Sequence, residues 1–261
     1  MASAKDIVVK PISAKDAALL VKRIHYSGKV VQNSQLHFGV FLDGRLEGAM
    51  QFGPSLDKRK IQGLVENTSW NSFLELNRMA FSDRLPRNSE SRAIGVAMRL
   101  IRKAYPHIEW VVSFADGAQC GDGTIYRASG FVLTGVRPNG QIIRFPDGLI
   151  ETRLVLTDAR RPRRLEVARR YGVDAGGAAS LKPFLDIGAE AIPGFQLRYI
   201  YFLNPEARQR LTVPILPFSK IHEMGAGMYR GQARAKDQAS TNPVDLGGET
   251  PTRTLQHLEA E

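Results

Sequence analysis

The chain has 261 residues, of which 43% are hydrophobic, and it carries a formal net charge of +10 at pH 7. This length and hydrophobic content suffice for a folded core, so the sequence predicts a soluble globular protein. No apolar run could span a bilayer and no hydrophobic signal segment begins the chain, so we expect a cytoplasmic protein without membrane contact. The single cysteine, Cys120, excludes an internal disulfide, and the excess of cations favours a polyanionic partner.

The amino-terminal part predicts a strand, a helix and a hairpin. Residues 7–12 alternate as a strand, and Ser13 begins a capping box for the helix that follows. Residues 35–42 and 45–52 predict two strands, joined by an Asp-Gly pair that is typical of a tight hairpin turn. Residues 53–71 are interpreted as an inserted basic loop.

The central part alternates strands with helices. A strand at 73–81 is followed by a polar loop at 82–90, a helix at 91–104 with apolar residues at helical spacing, and a buried strand at 110–115. Backbone N–H groups at the start of such a helix suit an anionic group, so this crevice suits a phosphorylated donor. Asp116, at the carboxyl end of the last strand, is expected to point into the same crevice.

We divide the chain into four segments. We expect residues 1–156 to form the main core, 157–196 an arginine-rich insertion, 197–230 a late strand with an extended exit that completes the core, and 231–261 a disordered tail. The last strands of the core are predicted at 132–136, 141–145 and 151–156.

Basic residues cluster at three places along the chain, which favours contact with nucleic acid over a merely solvated surface. The residues expected to make this contact are Lys58, Arg59, Lys60, Arg84, Arg87, Arg92, Arg160, Arg161, Arg163 and Arg164.

The order of a capped helix, a hairpin, a long strand, a helix, a strand and a helix that ends in Tyr126, Gly130 and Phe131 is similar to that of GNAT acyltransferases. The resemblance implies an α/β (α+β) fold with a mixed, mostly antiparallel central sheet flanked by helices. C-terminal additions would extend this core.

A closer resemblance, over roughly residues 20–220, is to the phage Mom family. It is carried by His25-Tyr26 and by the segments 75–80, 91–95 and 113–131. The resemblance implies an enzyme that adds a carbamoylmethyl group to the exocyclic amine of adenine in double-stranded phage DNA. This modification shields the DNA from host restriction, and the protein would act in the cytoplasm of the bacterial host.

The Mom resemblance also implies which residues are functional. The matching positions are His25, Tyr26, Arg78, Ser91, Asp116 and Tyr126. An iron ion is implied as well, with His25, Tyr26, Asp116 and Tyr126 as its ligands. Four of these positions also have a structural interpretation: a helix cap for His25 and Ser91, a core ring for Tyr126, and a structural strand residue for Arg78.

The proposed chemistry starts from the exocyclic amine, which is a weak nucleophile and needs a base, an activated donor and a desolvated pocket. Asp116 and His25 are the candidate bases, and Tyr126 is the candidate acid. Arg78 could hold a phosphate or a carbonyl oxygen with its planar donors. In duplex DNA the amine is paired, so the adenine is expected to flip into the pocket.

The sequence does not identify the donor of the transferred group. Residues 87–92 are bulky and charged where coenzyme A loops of GNAT enzymes are glycine-rich. A glycyl group is an isomer of carbamoylmethyl, so an aminoacyl ester such as glycyl-tRNA is one candidate donor and acetyl-CoA is the other. The first donor makes tRNA a candidate partner, and a homodimer is a separate candidate assembly. The alternatives are a GNAT acetyltransferase acting on a small amine or a protein, and a non-catalytic basic DNA-binding protein.

Overall fold

The computed structural model describes residues 2–25, 28–118, 121–174, 179–229 and 232–233, and every structural statement below concerns these residues. Tyr26 and Cys120 lie outside them. The segment predicted to be a disordered tail also lies outside them, except for residues 232–233.

The described chain forms a mixed α/β structure. Its strands are β1 (Val8–Pro11), β2 (Leu36–Leu42), β3 (Arg45–Gly53), β4 (Phe73–Phe81), β5 (Trp110–Asp116), β6 (Val132–Pro138), β7 (Ile142–Arg144), β8 (Ile150–Thr152), β9 (Glu190–Ala191), β10 (Phe195–Phe202), β11 (Met228–Tyr229) and β12 (Gln232–Ala233). Its α-helices are α1 (Ala14–Ile24), α2 (Lys58–Gln62), α3 (Ser89–Ala104), α4 (Thr124–Ala128), α5 (Arg153–Leu156), α6 (Pro162–Arg170), α7 (Lys182–Leu185) and α8 (Ser219–Glu223). In this part of the chain, no helix has the length and apolar character needed to cross a bilayer.

Seven of the described strands form the main sheet, in the order β1-β2-β3-β4-β5-β10-β6. All neighbouring pairs are antiparallel except β4 and β5, which run parallel. The predicted fold class, a mostly antiparallel mixed sheet flanked by helices, is therefore confirmed. The parallel pair lies in the middle of the sheet, and it positions the candidate site described below.

Helices cover both faces of the main sheet. On one face, Met98 of α3 and Tyr126 of α4 belong to the same buried cluster as Ala115 of β5. On the other face, Leu20 of α1 packs with Ala49 of β3. Successive strand residues point to opposite faces, so the two clusters lie on opposite sides of the sheet. We call these sides the α3 face and the α1 face.

The two parallel strands separate after a short paired stretch. Residues 73–75 of β4 pair with residues 110–112 of β5, and the register ends there. The next contact is weak, a 3.5 Å hydrogen bond that the hydroxyl of Ser113 donates to the carbonyl of Leu76. The carboxyl-terminal halves of both strands are therefore splayed, which opens a gap through the middle of the sheet.

An insertion separates β6 from β10, and it starts earlier than the sequence predicts. Strands β7, β8 and β9 form their own three-stranded sheet, and Phe145 and Phe184 lie in a separate buried cluster. The amide N–H of Asn139 donates to the carbonyl of Gly194 at 2.7 Å, which closes the base of this unit. The insertion therefore runs from Asn139 to Gly194, and the boundary predicted at residue 157 is wrong because β7 and β8 pair with β9 instead of with the main sheet.

Three smaller predictions are also corrected by the structure. The strand predicted at 151–156 ends at Thr152, whose hydroxyl accepts from the N–H of Val155 and begins α5. The loop predicted at 53–71 contains α2, capped by Asp57. The exit predicted to be extended contains helix α8 after Pro217.

Candidate active site

A cleft of about 370 Å³ occupies the gap between the splayed halves of β4 and β5. Its walls are residues 76–79 of β4 and Phe114 and Ala115 of β5. The polar and charged side chains around it are His25, Asn77, Arg78, Glu90, Asp122, Thr124 and Tyr126. His25 follows α1, whereas Glu90 and Tyr126 belong to α3 and α4. The cleft therefore connects the α1 face with the α3 face.

His25 caps the carboxyl end of α1 and brings an imidazole to the cleft. Its backbone N–H donates to the carbonyl of Val21 at 3.0 Å, so the end of α1 fixes the backbone that carries the imidazole. Burial lowers the pKa of His25 to about 4, and the neighbouring Arg78 guanidinium acts in the same direction. The imidazole is therefore neutral at physiological pH and able to accept a proton.

Arg78 enters the cleft because β4 carries a bulge. Gln51 of β3 pairs with Arg78 and Phe52 pairs with Leu76, so Asn77 is an additional residue in β4. Two backbone carbonyls hold the guanidinium: that of Asn77 accepts from Nη1 at 2.7 Å, and that of Lys29 accepts from Nε at 3.1 Å. The bulge and these bonds fix a cation at the wall of the cleft.

Tyr126 is positioned by the turn that the sequence signal contains. Gly130 adopts φ 83°, which ends α4 and lets the N–H of Phe131 donate to the carbonyl of Tyr126 at 3.0 Å. The ring of Tyr126 then lies 5.4 Å from that of Phe131 and 5.3 Å from that of Tyr199. The phenol is 7% exposed and lines the cleft.

Sequence reasoning missed two carboxylates at the cleft, Glu90 and Asp122. Asp122 is 1% exposed and accepts from the hydroxyl of Thr124 at 2.9 Å and from Arg127 at 3.3 Å. The flanking glycines were the signal that could have indicated it. Gly123 has φ 81°, and a β-carbon there would lie 2.4 Å from the ring of Tyr199.

Ser91 lies in a neighbouring cavity of about 380 Å³ on the α3 face. Its hydroxyl donates to the carbonyl of Asn88 at 3.2 Å, within the first turn of α3. Arg87 also lines this cavity, and Glu90 and Thr124 line both it and the cleft. The cavity and the cleft are therefore contiguous. We call this cavity the outer cavity, and Ser91 lines it.

Asp116 lies beside the cleft and is not among the residues that line it. It ends β5 with its side chain on the same face as that of Phe114. One carboxylate oxygen accepts from the N–H of Ala118 at 2.9 Å, and the other accepts from the amide of Asn139 at 3.2 Å. The carboxylate thus joins the glycine-rich loop after β5 to the root of the insertion, and its expected direction into the crevice is not observed.

The described residues give only part of the iron site that the Mom resemblance implies, because Tyr26, one of its four ligands, lies outside them. His25 and Tyr126 line the cleft, whereas Asp116 lies beside it and accepts hydrogen bonds from Ala118 and Asn139. The guanidinium of Arg78 beside His25 disfavours a second cation there. Over the ranges that the structure describes, no group of three or more His, Cys, Asp and Glu side chains could hold a metal ion.

The arginines of the insertion divide into buried and exposed ones. Arg164 is 1% exposed, and its Nε donates to the carbonyl of Leu156 at 2.8 Å, so the prediction that it contacts nucleic acid is wrong. Arg163 binds Glu151 at 2.6 Å on the surface of α6. Arg160 and Arg161 are exposed and half-exposed. The surface of this helix stays basic without Arg164.

The other two basic clusters lie at different places. Arg84, Arg87 and Arg92 are exposed around the start of α3, and Arg87 lines the outer cavity. The cluster of Lys58, Arg59 and Lys60 lies on α2. That helix packs through Ile61 against the cluster of Phe73 and Trp110, at the amino ends of β4 and β5. This third cluster is therefore at the end of β4 opposite to the cleft.

Comparison with known proteins identifies the family. The model described as Mom protein family matches residues 6–220. The chain is 35% identical over 212 residues to "Methylcarbamoylase mom" of Escherichia phage Mu, which covers 81% of each protein. Among solved structures, the ribosomal-protein-S18-alanine N-acetyltransferase of Escherichia coli is similar with a TM-score of 0.39 and 10% identity over 76% of this chain and 94% of that one. A GNAT family acetyltransferase of Brucella melitensis in complex with acetyl-CoA has a TM-score of 0.35 and 16% identity over 48% and 82% of the two chains. The family match and the identity to the phage Mu protein together show that this chain belongs to the Mom protein family.

Proposed function

We propose that this protein is a transferase that adds a two-carbon group, carbamoylmethyl or the isomeric glycyl, to the exocyclic amine of adenine in phage DNA. Membership of the Mom family supports phage DNA modification, and the similarity to a phage Mu protein named a methylcarbamoylase supports group transfer. The observation that carries the proposal is the cleft through the sheet, because a group transfer needs two substrates that meet from separate directions. The modified DNA would resist host restriction enzymes.

The adenine enters from the α1 face in this proposal. His25 and Arg78 line that mouth of the cleft. Arg78 holds the carbonyl of Lys29, whose Nζ lies 3.5 Å from Glu151 of the insertion. The exposed arginines of α6 would then hold the DNA backbone while the target base is extruded into the cleft.

The donor enters from the α3 face. The outer cavity lies at the start of α3, where backbone N–H groups and Arg87 suit a phosphate. Atom balance favours glycyl-tRNA over acetyl-CoA as the donor, because a glycyl group has the atoms of carbamoylmethyl, whereas an acetyl group lacks the nitrogen. The basic residues around this cavity suit the phosphates of a tRNA end.

The proposed step is an acyl transfer. The adenine nitrogen attacks the ester carbonyl carbon, a carbon–nitrogen bond forms, and the carbon–oxygen bond to the ribose breaks. The neutral imidazole of His25 takes the amine proton, and the hydroxyl of Tyr126 gives a proton to the leaving ribose oxygen. Arg78 donates hydrogen bonds to the carbonyl oxygen as negative charge develops on it.

The test is to incubate the purified protein with plasmid DNA and either glycyl-tRNA or acetyl-CoA, and to analyse the nucleosides by mass spectrometry. We expect deoxyadenosine heavier by one glycyl group with glycyl-tRNA only. Tyr126→Phe should reduce the yield at least tenfold, whereas Tyr201→Phe, whose hydroxyl does not line the cleft, should not.

Other outcomes separate the parts of the proposal. An acetylated nucleoside would show that acetyl-CoA is the donor instead of glycyl-tRNA. Unmodified DNA in both reactions would show that the protein transfers a group from neither donor. Acid hydrolysis of the product then distinguishes the isomers, because a glycyl amide releases glycine and a carbamoylmethyl amine does not.

A further inference from the structure

An exposed aromatic surface lies at the amino end of β4, away from the cleft. The indole of Trp70 is 51% exposed and the ring of Tyr105 is 37% exposed, whereas the second tryptophan, Trp110, is fully buried. Arg78 in the cleft follows Phe73, beside this surface, by five positions along β4, which corresponds to about 17 Å. We call the region of Lys58, Trp70, Tyr105 and His107 the Trp70 surface.

Contacts with Lys58 hold the indole in place. The ammonium of Lys58 lies 4.5 Å from the centroid of Trp70, within the range of a cation–π interaction. The same ammonium donates to the side-chain oxygen of Asn71 at 3.1 Å. A large apolar ring is thus kept on the protein surface by a cation, although burial elsewhere would remove it from water.

A cavity of about 290 Å³ is lined by Lys58, whose ammonium also contacts the indole. Lys58 and Asn71 form one side, and Tyr105 and His107 form another, with their ring centroids 6.3 Å apart. The side-chain amides of Asn71 and Gln35 also line it. Aromatic rings together with amide groups provide both stacking and hydrogen bonding for a planar heterocycle.

The charge around the Trp70 surface suits a chain of phosphates. Arg59 and Lys60 are exposed on α2, and Arg102 and Lys103 are exposed at the end of α3. The acidic residue beside the α2 cations, Asp57, is used as the N-cap of that helix, where it accepts from the N–H of Lys60. A ligand that combines planar rings with repeated negative charge matches this composition.

We infer that the Trp70 surface binds an unpaired segment of nucleic acid, with one base stacked on Trp70 and the adjacent phosphates on Arg59 and Lys60. The segment must be unpaired because neighbouring base pairs cover the faces of the bases inside a duplex. This binding needs no transfer chemistry, so it goes beyond the proposed function.

The two tryptophans provide the test, since only Trp70 is exposed. The intact protein is titrated with single-stranded DNA, single-stranded RNA of the same sequence and the corresponding DNA duplex, and indole emission is recorded. We expect saturable quenching by the single strands, and no such quenching in Trp70→Phe. The DNA and RNA arms identify which unpaired strand is preferred.

Affinity is measured separately by the fluorescence anisotropy of labelled oligonucleotides. Trp70→Ala should weaken single-strand binding about 5- to 100-fold and leave duplex binding unchanged. Leu19→Ala, which shortens a side chain that is 58% exposed on α1, is the matched control and should change neither affinity. Equal single-strand affinities for the native protein and Trp70→Ala, or an equal loss for the duplex, would overturn the inference. Failure of DNA modification would not affect this result.

Discussion

His25 is a histidine that the fold keeps neutral, and this makes stability depend on pH. Its pKa falls from an ordinary value of 6.5 to about 4 because of burial and Arg78. Between these values the unfolded chain binds the proton more readily, so stability is lost as the pH falls through this window. We expect acidification from pH 7 to pH 4 to cost up to about 3 kcal/mol through this residue.

Urea unfolding of the native protein and His25→Gln at several pH values checks this expectation. The variant should lose less stability on acidification, because glutamine does not titrate. Parallel pH curves for the two proteins would show that His25 does not carry the effect.

The hydrogen bonds of Asp116 predict how its substitution affects stability. Its two carboxylate oxygens accept from the N–H of Ala118 and from the side-chain NH2 of Asn139. In Asp116→Asn one of these oxygens becomes an NH2 group, which then faces another donor. We expect this variant to lose about 1 to 3 kcal/mol of stability. The exchange Asp116→Asn with Asn139→Asp restores a donor and an acceptor, and thermal unfolding should recover most of the loss.

The exchanged variant also separates two roles of Asp116. Recovery of both stability and DNA modification would identify it as a positioning residue that holds the glycine-rich loop to the insertion. Recovery of stability alone would show that the reaction needs a carboxylate at position 116. If stability is not recovered, the bond to Asn139 does not hold these elements together.

The glycine-rich loop between β5 and α4 is the element that shapes one wall of the cleft. Gly123 has φ 81°, and its missing side chain makes room for Tyr199, as the 2.4 Å clash of a β-carbon shows. Gly148 in the insertion has a similar φ of 85° but no atom within 4 Å of a β-carbon. Substitutions at these two glycines therefore distinguish the cost of backbone strain from the cost of steric crowding.

We expect Gly148→Ala to cost about 1 to 2 kcal/mol of stability through strain alone. Gly123→Ala should cost about 1 to 3 kcal/mol more and reduce DNA modification, because Tyr199 must move. Chemical denaturation and the nucleoside assay measure both effects. Equal losses for the two variants would mean that the loop accommodates the added methyl group.

Elements with local signals were predictable from sequence. The hairpin turn has φ 49° at Asp43 and 76° at Gly44, as its residue types indicate. The hydroxyl of Ser13 accepts from the N–H of Asp16 at 3.0 Å at the start of α1, and β4 has the predicted bounds. The short strands of the insertion could not be placed, because a run of three residues does not specify which sheet it joins.

At the scale of the whole molecule, one buried carboxylate helps to hold the insertion against the core. Glu151 is 5% exposed, and it lies 3.5 Å from Lys29 and 2.6 Å from Arg163. Lys29 in turn holds Arg78 of the cleft through its carbonyl. The position of the insertion is therefore coupled to the acceptor side of the proposed active site.

Glu151→Gln should destabilise the protein by about 1 to 2 kcal/mol, since both cations remain half in solvent. Glu166→Gln is the matched control, because Glu166 binds the same Arg163 from an exposed position and should cost less than about 0.5 kcal/mol. Urea denaturation measures both. A similar small loss in the two variants would show that Glu151 does not anchor the insertion.

The sequence by itself determined most bounds of the main-sheet strands, because caps, turns and periodicity are local properties of the chain. Its resemblance to GNAT and Mom proteins determined the fold class and the family. Only the tertiary structure decided that His25, Arg78 and Tyr126 meet at one cleft with Glu90 and Asp122, whereas Asp116 turns to Asn139. It also removed Arg164 from the basic surface. These outcomes depend on how strands separate and which faces helices cover, and such contacts between distant segments leave no local signal in the sequence.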